Sequence, residues 1–186
     1  WQDPDHGIWE IRAARRHHVH SKTMCWLTVD RAMRISERML DRQRRDWAAL
    51  RDAIRDDVLS RGFHERVGAF TSAYGAEELD AAALHVGLSG LVDADDPRFA
   101  ATVEAIEREL RDGPTVYRYL HDDGLPGREG GFHICASWLV DAYLLLGRRD
   151  DAWSLFEEIA ARVGGTGLLS EQLDPTTGRA LGNHPQ

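Results

Sequence analysis

Apolar residues recur three or four positions apart through most of the chain, which is the spacing of amphipathic α-helices. The clearest runs predict helices over residues 21–40, 43–61, 78–91 and 97–110. The second run is followed by Gly62, since glycine commonly ends a helix. The fourth is preceded by Asp96, a typical N-cap residue, and begins at Pro97, which favours the first helical position.

The second half of the chain is richer in loops. Residues 112–131 are dense in glycine and proline and predict a long ordered loop. Helix returns over residues 132–148, where apolar side chains cover most faces and predict burial between neighbours. Residues 150–165 are amphipathic and predict an inward face made of Trp153, Phe156, Ile159 and Val163. The remaining residues predict a loop.

The helices are expected to form hairpins, with long irregular loops between some of them. Loops of this length in a compact helical domain are usually functional or disordered, and the aromatic residues here disfavour disorder. Hairpins stacked around a ring place alternate loops at one end, where a site can form. We therefore expect an all-α fold in a single domain over residues 1–186.

The composition is that of an ordinary globular domain. The 186 residues are 42% hydrophobic and 29% charged, with a formal net charge of −8. A negative balance argues against nucleic acid or an anionic membrane as the main partner, because those bind basic surfaces. The sequence has no run of eighteen apolar residues and no signal-peptide pattern, so we expect a cytoplasmic protein without a membrane span.

Two glutamates lie outside the amphipathic helices and beside apolar residues. Glu10 stands in the stretch GIWEIR, and Glu171 stands in GGTGLLSEQLDP. Apolar neighbours are expected to desolvate such carboxyl groups in part, and a desolvated carboxyl group holds its proton more tightly. A protonated carboxyl group can act as a general acid while a second, ionised one acts as a base. The pattern alone favours the ordinary alternative, in which both are solvated surface charges.

Several stretches of the chain together resemble one known family. They are PDHGIWEIR, RHHVHSKTMCWLTVDRA, ELDAAAL, DDPRF, VYRYLHDDGLPGREGGFHICASWLVDAYLLLG and GLLSEQLDPTTGRALGNHPQ. In this order they resemble glycoside hydrolase family fifteen, the family of glucoamylases and bacterial trehalases. The resemblance covers nearly the whole chain. It is closest to the bacterial branch, and specifically to the later, C-terminal part of its catalytic domain.

The resemblance implies a six-hairpin α/α barrel, of which this chain is an incomplete part, and hydrolysis of terminal α-glucosidic bonds with inversion. It implies that Glu10, in the Trp-Glu motif, is the general acid and that Glu171, in the Ser-Glu-Gln motif, is the general base. Trp9 and Gln172 fall in the same motifs and are expected to contact the substrate. An inverting enzyme needs its carboxyl groups about 6.5–9.5 Å apart to admit the attacking water, and the reaction needs no cofactor or metal.

The stretch VYRYLHDDGLPGREGGF is implied to line the same pocket. Arg118 matches a family arginine that is expected to hydrogen-bond sugar hydroxyls, and an ion pair with an aspartate at 122–123 is an equal alternative. Tyr119 and Phe132 are expected to offer apolar contact to a sugar ring. Glu129 either binds sugar or braces the loop, and we favour bracing.

Three positions depart from the family pattern. Ala13 stands where glycine is usual, His133 where an apolar residue is usual, and His184 where an aromatic residue is common. None of them removes a catalytic group. The early barrel hairpins, which normally supply sugar-binding arginine and aspartate, have no counterpart in these residues. An inactive fragment or a carbohydrate-binding module is therefore the alternative to an active hydrolase.

Two other patterns have chemical alternatives. His17, His18 and His20 are clustered like zinc ligands, but a helical pair needs a spacing of four and no third ligand is evident. The stretch DADD, Asp93–Asp96, resembles the acid motif of class II terpene cyclases, although helix capping is the simpler interpretation. For the hydrolase, the substrate is either trehalose or a maltooligosaccharide. The sequence leaves that choice and the oligomeric state open.

Overall fold

Six α-helices carry most of the regular structure in the computed structural model, which describes residues 1–40, 44–121 and 129–185. A 3₁₀ helix, Ala81–Leu84, precedes the third of them. The helices are α1 (Val19–Leu40), α2 (Arg45–Arg61), α3 (His85–Leu88), α4 (Pro97–Leu110), α5 (His133–Leu145) and α6 (Arg149–Ala160). Within the described ranges, no helix combines the length and the apolar character needed to cross a membrane.

The helices predicted at the positions of α1, α2 and α4 are confirmed. Gly62 follows α2 as predicted, and its N–H donates to the carbonyl of Val58 at 2.8 Å. The Asp96 carboxylate accepts the N–H of Arg98 at 2.9 Å and so caps α4. Helix termini leave backbone groups without an intrahelical partner, so residues that satisfy them locally mark the helix ends in the sequence.

The helix predicted over residues 78–91 is wrong in part. The segment forms only the 3₁₀ helix followed by the single turn of α3. Its start is fixed by Asp80, whose carboxylate accepts the N–H of Ala82 at 2.8 Å. The N–H of Ala81 donates to the carbonyl of Arg118 at 2.9 Å, a tertiary bond that helical periodicity does not reveal.

The inward face predicted for α6 is confirmed at Ile159, which is 7% exposed, and wrong at the other three positions. Leu155 and Ile159 are buried, whereas Trp153 and Phe156 are 62% and 51% exposed. Val163, which was also predicted to face inward, lies beyond the end of the helix and is 41% exposed. The apolar spacing of α6 allows either face to be buried, and the packing of α6 against α5 selects the aliphatic one.

Two small antiparallel sheets correct the prediction of an all-α fold. The strands are β1 (Phe63–His64), β2 (Ala69–Phe70), β3 (Arg111–Asp112), β4 (Thr115–Val116), β5 (Gly131–Phe132), β6 (Gln172–Leu173) and β7 (Ala180–Leu181). Strand β1 pairs with β2, and the other five form one sheet in chain order. A two-residue strand is too short to show apolar alternation, so the sequence pattern gives no signal for it.

The segment 112–131, predicted as an ordered loop, supplies strands near both of its ends. Phe132 of β5 pairs with Val116 on one side and with Gln172 on the other. Gly131 makes the close approach to β4 possible, because a Cβ at this position would overlap the side chain of Thr115. The middle of the segment, 122–128, lies outside the described residues.

Helical hairpins are present as predicted, since α1 packs against α2 and α5 against α6. Their inner faces contribute to one apolar core, whose large side chains without exposed surface include Ile54, Phe99, Leu139 and Tyr143. The sheet of β3–β7 adjoins this core through Val116 and Phe132. It therefore connects the loop before α5 to the last residues of the chain.

The close packing of α3 against α4 predicts the cost of one added methyl group. Gly87 lies so near the fully buried Phe99 ring that a Cβ would overlap it. We expect Gly87→Ala to lower the free energy of unfolding by about 1–3 kcal/mol, as overpacked cores do. Gly165→Ala is the matched control, because a Cβ there meets nothing within 4 Å. Equal unfolding curves for the two variants in urea would contradict the packing described here.

Candidate active site

The N-terminal loop that carries Glu10 is closed by a bridge and attached to the start of α1. Asp5 and Arg16 pair in an antiparallel bridge, with N–H to carbonyl distances of 2.9 Å in both directions. The Asp5 carboxylate accepts the N–H of Gly7 at 2.6 Å and the hydroxyl of Ser21, on α1, at 2.8 Å. These bonds fix both ends of the loop.

Glu10 lies at the turn of this loop in an unusual backbone conformation. Its φ is 51°, and no other non-glycine residue in the described ranges has a positive φ. The N–H of Glu10 donates to the carbonyl of Gly7 at 3.3 Å, and the N–H of Ile11 donates to that of His6 at 3.2 Å. Strained backbone persists where surrounding contacts determine it, and it is common at functional sites.

The expectation that apolar neighbours shield the Glu10 carboxylate is wrong. Glu10 is exposed, and Ile8 is 39% exposed. Glu10 lines a surface cavity together with His6 and Arg12, among others. The reason is that the indole of Trp9, the residue before Glu10, makes its polar and ring contacts with Asp80, Phe132 and Trp138 instead.

The Trp9 indole anchors the loop to three distant parts of the chain. Its Nε1–H donates to both carboxylate oxygens of Asp80, each at 3.0 Å. Its ring centroid lies 5.9 Å from that of Phe132 and 6.0 Å from that of Trp138. We call Trp9, Asp80, Arg118, Phe132 and Trp138 the Trp9 cluster.

Arg118 covers the rings of the Trp9 cluster. Its guanidinium carbon lies 5.6 Å from the centroid of Trp9 and 5.2 Å from that of Phe132. Its Nε and Nη2 donate to the two carboxylate oxygens of Glu129 at 2.6 and 2.5 Å. Because a bidentate pair fixes the plane of the guanidinium, Glu129 braces Arg118, which agrees with the interpretation we favoured. The alternative partners at 122–123 lie outside the described residues.

The sequence analysis missed two residues of this cluster, Trp138 and Asp80, and Asp80 is the charged one. It is 6% exposed, and it accepts the N–H of Ala82 in addition to that of Trp9. Burial raises the pKa of Asp80 to about 6, although these two hydrogen bonds and the charge of Arg118 act in the opposite direction. The sequence feature that could have drawn attention to Asp80 is its place directly before the alanine run in ELDAAAL. That pattern predicts a helix cap but does not predict a buried contact.

Glu171 is held at the start of the β6–β7 hairpin. Its Oε2 accepts the N–H of Asn183 at 2.9 Å, and its own N–H donates to the Asn183 carbonyl at 2.8 Å. Glycine is required at Gly182, where φ is 71° and a Cβ would lie 2.6 Å from Oε2 of Glu171. The Glu171 carbonyl accepts the N–H of His133, the residue after Phe132, at 3.2 Å.

The structure brings the two glutamate-bearing segments to the same cluster. Trp9, which directly precedes Glu10, packs against Phe132. Phe132 pairs in the sheet with Gln172, which directly follows Glu171. Trp9, Phe132 and Gln172 therefore form one connected set of contacts. Glu10, the predicted acid, is adjacent in sequence to Trp9, and Glu171, the predicted base, is adjacent to Gln172.

The remaining predicted binding residues are mostly buried. Tyr119 and Phe132 are 8% and 6% exposed, so little of either ring is open to a ligand. The guanidinium carbon of Arg118 lies 4.8 Å from the centroid of Tyr119. The side-chain oxygen of Gln172 accepts the N–H of Gly130 at 3.0 Å. These residues therefore build the floor and the edge of the candidate site.

The three clustered histidines have separate environments. His17 stacks on Tyr74 with ring centroids 5.9 Å apart, and His20 meets His85 edge-on at 5.1 Å. His18 is buried, and burial lowers its pKa. Burial and the neighbouring His85 lower the pKa of His20 to about 4. In the ranges that the structure describes, no group of three or more potential ligands is placed to hold a metal ion.

The aspartates of DADD agree with helix capping. Asp96 caps α4, and its carboxylate also pairs with the Arg98 guanidinium at 2.7 Å. Hydrogen bonds from Arg98 lower the pKa of Asp96, so this group is ionised at neutral pH. Asp93 and Asp95 are exposed. An ionised cap is a poor proton donor, which disfavours the terpene-cyclase alternative.

The three departures from the family pattern lie in different environments. His133 is 3% exposed at the start of α5, and burial, with the charge of Arg162, lowers its pKa. The neutral imidazole therefore occupies a site suited to an apolar side chain. Ala13 and His184 are exposed, so neither belongs to the packed interior.

Comparison with known proteins gives one consistent group of relatives. The family described as "Glycosyl hydrolases family 15" matches residues 1–186. A trehalase of Mycolicibacterium smegmatis is 42% identical over 190 residues, covering 100% of this chain and 28% of that protein. A trehalase of Thermoplasma volcanium is 35% identical over 188 residues, covering 100% of this chain and 30% of that protein.

The chain thus spans about three tenths of the length of the curated relatives it matches. The match is assigned to their N-terminal portion, so the expectation of a C-terminal part of the catalytic domain is not confirmed. A wild-type glycosidase and a glycosidase solved in complex with glucose are both similar in structure, with TM-scores of 0.78 and 21% identity. Each alignment covers 93% of this chain and 46% of the other, and establishes similarity of fold.

The buried carboxylate of Asp80 predicts a pH-dependent contribution to stability. Its pKa is about 6 in the folded chain, against an ordinary value of 3.8. The native state therefore binds this proton more tightly than the unfolded state, and stability falls as pH rises from about 4 to 6. Between pH 4 and 6, we expect the free energy of unfolding of the wild type, measured in urea, to fall by about 1–3 kcal/mol relative to that of Asp80→Asn.

Asp96→Asn is the matched control for this measurement. The pKa of Asp96 is lowered by Arg98, so its contribution to stability is lost as pH falls through the acidic range and is present above it. The two variants are expected to differ from the wild type with opposite dependence on pH. A wild-type to Asp80→Asn difference that does not change between pH 4 and 7 would contradict the raised pKa.

Proposed function

The chain belongs to glycosyl hydrolase family 15, and from that premise we propose that the protein hydrolyses terminal α-glucosidic bonds. Relatives named as trehalases favour trehalose as the substrate, with a maltooligosaccharide as the alternative. One observation carries the proposal. The contacts from Trp9 through Phe132 to Gln172 connect the two segments that bear Glu10 and Glu171.

In the proposed mechanism, Glu10 donates a proton to the departing glycosidic oxygen. Glu171 removes a proton from a water molecule that attacks the anomeric carbon from the opposite face of the sugar. The configuration is inverted, and the two carboxyl groups are expected to lie about 6.5–9.5 Å apart. The reaction requires neither a metal ion nor an organic cofactor.

The position of Glu10 supports the role of acid. Glu10 is exposed, so a substrate can reach it. Its backbone has φ of 51° and follows directly on the anchored Trp9. The anchored Trp9 fixes the backbone that presents this carboxyl group, and fixed geometry lowers the barrier to proton transfer.

The surroundings of Glu171 support the role of base. The N–H of Asn183 donates to one carboxylate oxygen, and the backbone of Glu171 bonds to both Asn183 and His133. These contacts fix the carboxylate relative to β5 and β6. A general base must hold its acceptor oxygen within hydrogen-bond reach of the attacking water, which requires such fixation.

Arg118 supports recognition of the sugar in the same site. Its side chain is 12% exposed and is held by Glu129 and by the neighbouring rings. Guanidinium N–H groups can donate to sugar hydroxyls. We propose that Arg118 binds substrate, that Glu129 braces it, and that Gln172 fixes the adjacent strand.

We also propose that the helical hairpins belong to an α/α barrel, of which this single domain is a part. The similarity of fold to solved glycosidases and the hairpins α1–α2 and α5–α6 support this architecture. The chain covers 28% of the length of the Mycolicibacterium relative. The alternative to an active hydrolase is therefore an inactive fragment or a carbohydrate-binding module, and experiments must distinguish the two.

The first test replaces each proposed catalytic carboxylate in the full-length protein. We expect Glu10→Gln and Glu171→Gln each to lower kcat by about 10²–10⁴, because general acid and base catalysis contribute that much. Glu104→Gln, at an exposed position of α4, is the matched control and is expected to retain activity. The measurement is glucose release at saturating substrate. Near-normal rates in either catalytic variant would remove that residue from the mechanism.

The second test identifies the substrate and the stereochemistry. Trehalose and maltose are each supplied to the full-length protein and to the 186-residue chain, and the glucose formed is followed by proton NMR. We expect trehalose to be cleaved in preference to maltose, and the attacked glucose to appear first as the β anomer. Initial formation of α-glucose alone would exclude inversion. Sugar binding without turnover by the full-length protein would favour a binding module.

A further inference from the structure

Asp80 is a buried acidic group that the proposed mechanism does not use. It is 6% exposed, and burying a carboxylate is costly unless polar partners compensate. Its bond to the N–H of Ala82 is an ordinary cap, which asparagine or serine would supply equally well. Capping alone therefore does not explain an acidic residue at this position.

We propose, on the premise of the hydrolase function above, that Asp80 is a positioning residue that holds the Trp9 indole and, through it, the backbone that presents Glu10. Both carboxylate oxygens lie 3.0 Å from Nε1 of Trp9. An acceptor that uses two oxygens restrains the indole more tightly than one that uses a single oxygen. An amide at this position would leave one oxygen to serve both Ala82 and Trp9.

The hydrogen bond from Trp9 to Asp80 can restrain Glu10 because Trp9 and Glu10 are adjacent in the chain. Glu10 follows Trp9 directly, and its strained φ of 51° leaves few alternative conformations for the turn. The ends of the loop are fixed by the bridge between Asp5 and Arg16. The Asp80 bond is the polar contact at the middle of the loop that reaches the interior, so it sets the depth at which Trp9 lies.

The same turn also holds the proposed sugar-binding residue. The N–H of Ala81 donates to the carbonyl of Arg118 at 2.9 Å, and the charge of Arg118 attracts the Asp80 carboxylate. Phe132 and Trp138 pack on the indole from other sides. Asp80 thus fixes both the loop of the acid and the segment of Arg118 relative to one point in the fold.

The test measures turnover of two substrates by Asp80→Asn in the full-length protein. One substrate is the α-disaccharide that the wild type cleaves fastest, and the other is α-glucosyl fluoride, whose leaving group departs as an anion without protonation. A misplaced acid is expected to lower kcat for the disaccharide by about 10–100-fold, with KM nearly unchanged. The loss for the fluoride is expected to be several-fold smaller, because that reaction does not depend on the acid.

A double-mutant cycle separates this role from a general loss of packing. Trp9→Phe removes the indole N–H while Asp80 still caps the 3₁₀ helix. If Asp80 acts through Trp9, adding Asp80→Asn to Trp9→Phe changes kcat little further. Asp96→Asn, which alters the aspartate cap at the start of α4, is the control and is expected to retain activity. If Asp80→Asn does not fold, Trp9→Phe alone must show the same selective loss.

Each outcome decides the proposal. Equal losses on both substrates, losses that multiply in the double variant, or unchanged activity of folded Asp80→Asn would overturn the positioning role. Failure of the hydrolase function is recognised separately, because the wild type would then cleave neither substrate, whereas a wrong assignment of the acid would leave the rate of Glu10→Gln on the disaccharide unchanged. A selective loss on the disaccharide in both Glu10→Gln and Asp80→Asn would establish that Asp80 acts on the acid.

Discussion

The bond between the Trp9 indole and the Asp80 carboxylate joins parts of the chain that are 71 positions apart. An indole carries a large apolar surface and a single donor, so burying it is most favourable where an acceptor meets its N–H. Asp80 supplies that acceptor, and Phe132 and Trp138 supply the apolar contact. The loop of Glu10, the 3₁₀ helix and α5 are consequently fixed relative to one another.

Charge is concentrated around this contact and is largely paired. Arg118 lies over the rings, is braced by Glu129, and acts on the buried Asp80. In a site of low dielectric constant these interactions are stronger than in water, and an unpaired member would be costly. The arrangement keeps a cation over aromatic rings, which is compatible with the sugar substrate proposed above.

The small sheet of β3–β7 links the Trp9 cluster to Glu171. Its strands have two residues each, yet β5 and β6 connect the Trp9 cluster to Glu171. Backbone hydrogen bonds are short and directional, so they fix Glu171 more closely than side-chain packing alone would. Gly131 and Gly182 permit the close approach, because a Cβ at either position would overlap a neighbouring side chain.

The sequence by itself determined the helices whose signals are local, such as α4 with its Asp96 cap and α2 with Gly62. It also indicated both glutamates and Arg118, through resemblance of short motifs. Tertiary structure decided that Asp80 meets Trp9, that Leu155 rather than Trp153 faces the core, and that strands replace part of a predicted loop. These features depend on contacts between residues far apart in the chain. Helical periodicity and capping report only on neighbours within a few residues, so they carry no information about such contacts.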